Sequence, residues 1–68
     1  MTYEEGIQWL LARGGSVTSR NVANGAEVIA SAHGVSSGSV IAERPSDRSE
    51  VRRCELEAIT QLKRILEA

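Results

Sequence analysis

The chain has 68 residues, eight Lys or Arg against nine Asp or Glu, a formal net charge of −1 and 41% hydrophobic residues, the profile of one small globular domain. A single Cys54 excludes an internal disulfide, a single His excludes a ligand set for a structural metal, and no apolar run approaches the roughly 20 residues of a membrane span. With Trp9 and Tyr3 the only aromatic residues, the core must come from Leu, Ile, Val and Ala. Such a core suits close helix packing, so the expected fold is all-α: a single domain over residues 1–68 built as a bundle of about four helices.

Thr2 and Glu5 have the spacing of a capping box, and Tyr3, Ile7, Leu10 and Leu11 recur at helical intervals, which predicts a first helix over Tyr3–Arg13 stopped by Gly14-Gly15. Trp9 falls off that apolar stripe, beside Arg13. Either a neighbouring helix covers it or it belongs to a partner surface, where Trp is enriched.

Residues 16–25, "SVTSRNVANG", are rich in caps and turn formers, and Thr18 or Ser19 is a candidate start for a second helix. Val22, Ala26, Ile29, Ala30 and His33 then share one helical face, with Gly34 as the C-terminal glycine. Ser36 is expected to cap a short third helix over Ser37–Glu43, ended by Pro45. Ser46 or Asp47 caps the last helix, Asp47 and Glu50 repeating the capping-box spacing. Val51, Cys54, Ala58, Leu62, Ile65 and Leu66 form its apolar stripe.

"VIASAHGVSSGSV", residues 28–40, resembles a helix-turn-helix: Ala30, Gly34 and Val40 supply the small, turn and apolar residues at that motif's spacings of four and six. "GVSSGSV" is similar to the turn and recognition-helix start of many bacterial regulators. The stretch from Val28 to Leu66 also resembles the first half of the C-terminal DNA-binding domain of the bacterial replication initiator DnaA, without that family's own major-groove helix-turn-helix. That resemblance implies a helical fold and places backbone contacts in the basic loop, on Arg44, Arg48 and Arg52 or Arg53. Against direct base readout, the expected recognition helix offers Ser36, Ser37 and Ser39, contains Gly38 and is cut short by Pro45.

The charge distribution agrees with a backbone contact more than with base reading. "RPSDRSEVRR", residues 44–53, carries Arg44, Arg48, Arg52 and Arg53, whereas the first dozen residues hold Glu4 and Glu5 and no base. The alternative for those arginines is a solvated face of weak surface pairs. Neither His33 nor Cys54 has a catalytic setting: His33 reads as a helix-end residue, Cys54 as a buried small hydrophobe, and no glycine loop matches a phosphate cradle.

Two functions follow for a non-enzyme without cofactor or metal. One is a small DNA-binding or DNA-associated regulator of the kind a phage encodes, a homodimer in which Ser36, Ser37, Ser39, Arg44, Arg48, Arg52 and Arg53 contact duplex DNA along its phosphates. The other is a helical inhibitor or adaptor that binds a host protein through Trp9. The acidic start lacks the basic segment of a signal peptide, and the cytoplasm of a bacterium or of a phage-infected cell is the expected compartment.

Overall fold

The computed structural model describes all 68 residues. It overturns the all-α expectation: two helices precede and follow an antiparallel sheet, in the order α1 (Tyr3–Leu11), β1 (Ser16–Val22), β2 (Gly25–Ala32), β3 (Val35–Ser36), β4 (Val40–Ala42), α2 (Arg48–Glu67). The fold is α+β. Both terminal helices start where the sequence puts them, the first ending at Leu11 instead of Arg13, while the second and third helices and the helix-turn-helix corner between them are strands and turns.

The reason lies in the side-chain period of residues 25–32. Ala26, Val28, Ala30 and Ala32 are buried and alternate with the less buried Glu27, Ile29 and Ser31, a period of two that a sheet with one covered face requires. A helix over the same residues would bury Ala26, Ile29, Ala30 and His33 and leave Val28 outside. Two-residue turns fix the pairing on either side. Ala23-Asn24 joins β1 to β2 with Val22 opposite Gly25, and His33-Gly34 joins β2 to β3 with Ala32 opposite Val35. His33 and Gly34 have φ of 54° and 74°, so the residues expected to end a helix instead form the left-handed pair that a tight hairpin favours. At Gly25, with φ 137°, a Cβ would stand 2.1 Å from the Ala42 carbonyl oxygen; only glycine lets β4 close over the first hairpin.

β1 pairs with one side of β2 along its whole length, and β3 and β4 share the other side as two halves of a broken strand. Between the halves, Ser37, Gly38 and Ser39 stand opposite only Ile29 and Ala30, a bulge of one extra residue. Ser37 is buried there. Its N–H donates to the Ala30 carbonyl at 2.8 Å, and its hydroxyl accepts the Ala30 N–H at 3.0 Å.

Thr2 forms the expected capping box with Glu5, each side chain accepting the other residue's N–H. Asp47 caps α2 by accepting from the Ser49 and Glu50 N–H groups, but Glu50 turns back to the Arg44 N–H, so this cap is not reciprocal. α2 lies across β2, β3 and β4 and receives α1 on its flank. Cys54, Ala58, Ile59 and Leu62 face Leu10, Val28 and Val40, and five of the eleven core residues are alanines. Full burial of Leu10, Val28, Ile59 and Leu62 contributes about 1.5–3 kcal/mol each, so most of the apolar stabilisation comes from few side chains. No helix is long and apolar enough to cross a membrane.

Candidate functional site

The docking of α1 on α2 creates a shallow groove of about 200 Å³ lined by Tyr3, Pro45, Arg48, Val51, Arg52 and Glu55. Each wall has a local cause. The Thr2 cap makes Tyr3 the first residue of α1, and the Asp47 cap makes Arg48 the first of α2. Arg52 follows one turn later on the same face, and Pro45 stands in the turn before the cap.

Across the groove the Tyr3 hydroxyl donates to Glu55 Oε1 at 3.1 Å, and the Arg52 guanidinium lies 5.6 Å from the Tyr3 ring centre. Burial, reinforced by the Glu55 carboxylate, raises the Tyr3 phenol above its ordinary value, which keeps it a neutral donor. The four ion pairs of the molecule leave Arg48 and Arg52 without a carboxylate partner. The space is small against the roughly 300–1,000 Å³ of small-molecule sites and fits one inserted side chain.

The remaining arginines of the basic segment face another way. Arg44 and Arg53 both approach Glu50 Oε1 at 3.7 Å, so the four-arginine cluster divides into a pair that shares one carboxylate and a pair that has none. The serines divide as well. Ser36 is exposed on β3, Ser37 is buried in the bulge, and Ser39 donates to Glu27 Oε2 at 3.0 Å on the open sheet face. Glu27 also accepts from Arg20 at 2.9 Å, and these bonds, that from Ser39 first, hold its carboxyl below the ordinary range. Residues 36–39 therefore lie in a bulged sheet edge and present no recognition helix.

Trp9 is half-buried against the core, with the Arg13 guanidinium 4.2 Å from its ring centre and its indole N–H buried without an acceptor. His33 is exposed in the β2–β3 turn and Cys54 is buried under α2, so the two do not meet. No group of three or more His, Cys, Asp or Glu side chains is placed to share a metal ion.

Sequence reasoning picked out Arg48 and Arg52 within the basic segment but missed Tyr3, Pro45, Val51 and Glu55 around them. Tyr3 and Glu55 are 52 residues apart, and no local pattern reports that α1 docks at that turn of α2. The chain matches no protein family, no curated protein and no solved structure.

Proposed function

We propose that the protein is a non-enzymatic interaction module whose α1–α2 groove takes an acidic segment of a partner protein. The observation that carries this is the pairing of two unpaired guanidiniums, Arg48 and Arg52, with an apolar floor of Tyr3, Pro45 and Val51. Guanidiniums bind carboxylates through paired N–H donors, and the positive end of α2 adds to the attraction. The floor takes an apolar side chain next to the acid.

Duplex DNA is the weaker reading of the same residues. Two phosphate contacts release about two counter-ions, far fewer than the 6–10 contacts of a tight binder, and a sugar-phosphate backbone makes no use of an apolar floor. The reducing cytoplasm is the compartment we assign, in keeping with an unpaired, buried Cys54.

The test is selection from a random dodecapeptide display library on the intact chain, alongside an Arg48→Ala/Arg52→Ala variant. Enrichment of acidic sequences with an adjacent apolar residue, lost in the variant, is expected. No enrichment, or the same enrichment in both, overturns the proposal. Salt-steep binding of generic duplex DNA, with no peptide enriched, transfers the two arginines to a nucleic-acid role.

A further inference from the structure

The two edges of the sheet are treated differently. The β3–β4 edge is broken by the Ser37 bulge, its halves are two and three residues long, and the Gly38 N–H is taken by Gln61 Oε1 of α2 at 3.2 Å. Short strands and bulges are the devices that stop one sheet from adding to another. β1 has none of them. It runs seven residues without proline, bulge or covering helix, and its one charge, Arg20, is neutralised by Glu27.

The register fixes which groups are free. The Ala30 N–H and carbonyl point towards Ser37, so the odd-numbered residues of β2 bond to β1, and Ser16, Thr18, Arg20 and Val22 are their partners. Val17, Ser19 and Asn21 therefore turn their N–H and carbonyl groups to the open side. Their side chains lie on the helix-facing side of the sheet, where α2 covers β2 to β4 but leaves Ser19 and Asn21 exposed.

We propose that β1 pairs with β1 of a second copy of this chain, antiparallel about a two-fold axis at Ser19, joining two sheets into one. A two-fold axis at Ser19 sets Ser19 opposite Ser19 and Val17 opposite Asn21 of the other copy. All three outward-facing residues of each strand then exchange both backbone bonds, six in total. The match is self-complementary in size and carries no uncompensated charge. Another occupant would need its own extended edge; this chain supplies one of equal length. The small alanine-rich core also leaves a 68-residue chain with much to gain from a wider sheet.

Sedimentation equilibrium of the intact chain over a dilution series tests this, with Ser19→Lys and Ser19→Glu run alone and mixed. Ser19 is exposed, so either change leaves the monomer folded, as circular dichroism checks. The expected result is a concentration-dependent dimer for the parent chain, monomers for each variant alone and a restored dimer for the equimolar mixture, where opposite charges meet across the axis. A parent chain that stays monomeric overturns the proposal. Variants that dimerise as the parent does, or a mixture that stays monomeric, overturn it equally, because the axis is then not at Ser19.

Discussion

Ser37 and Ala30 exchange two hydrogen bonds across the sheet, but one of them uses a side chain: the Ala30 N–H bonds the Ser37 hydroxyl at 3.0 Å, where a regular ladder would offer a carbonyl. The hydroxyl then donates to the Gly38 carbonyl at 3.0 Å. Ser37→Ala leaves the Ala30 N–H buried and unpaired, and the expected loss is about 1–3 kcal/mol in urea-unfolding free energy. A variant as stable as the parent would show that the bulge satisfies this amide by another route.

Gly25 and Gly34 both have positive φ, yet they should respond in opposite ways to a side chain. Gly25→Ala drives a Cβ into the Ala42 carbonyl and is expected to cost about 1–3 kcal/mol or prevent folding. At Gly34 a Cβ meets nothing within 4 Å, so Gly34→Asn, which tolerates the left-handed region, stays within about 1 kcal/mol of the parent. Thermal melts of the two variants side by side check the contrast.

The Cys54 thiol is pushed above its ordinary value, chiefly by burial and then by Glu50, Glu57 and Glu55, with Arg53 opposing, and its Sγ donates to the Ile41 carbonyl at 3.7 Å. Its nucleophilic thiolate is therefore scarce as well as covered. An aromatic disulfide reagent at mildly alkaline pH should label the folded chain only as fast as it unfolds, and label it at once in denaturant. Rapid stoichiometric labelling without denaturant would contradict this packing.

Acid should weaken the fold through two carboxyls. Hydrogen bonds from Ser39 and Arg20 hold the Glu27 carboxyl, and those with the Thr2 backbone and side chain hold the Glu5 carboxyl, below the ordinary carboxylate range. A lowered folded-state value means a contribution that is complete above the unfolded value and is lost as the pH falls through the folded one. Melting temperatures should hold from neutral pH to about 5 and then decline. Glu27→Gln should flatten the decline; a parallel curve for that variant would remove Glu27 from the effect.

The two helices are legible in the sequence because their signals are redundant. α2 has a cap, a stripe of Cys54, Ala58 and Leu62 and twenty residues over which the period declares itself. The centre misleads because Ala26 and Ala30 are small apolar residues with strong helix propensity, and with Val22 and Ile29 they satisfy a helical face almost as well as Ala26, Val28, Ala30 and Ala32 satisfy a strand face. Density of β-branched residues is the better guide there: Val17, Thr18, Val22, Val28, Ile29, Val35, Val40 and Ile41 all fall between Val17 and Ile41. Asn24-Gly25 marks a hairpin there once the flanking strands are granted, although the turn itself is Ala23-Asn24 and Gly25 already pairs with Val22. The groove was legible only in part, since Arg48 and Arg52 are local neighbours whereas Tyr3 reaches them through the packing of two helices from opposite ends of the chain.

That packing also decides how the molecule can be handled. Tyr3 forms one wall of the groove, so anything joined ahead of Met1 begins only two residues from that wall. From Arg52 to Ala68 the long helix carries the other terminus about 24 Å away. A fluorophore or affinity handle placed after Ala68 stays at the far end of α2 from the groove, whereas the same handle before Met1 starts beside it.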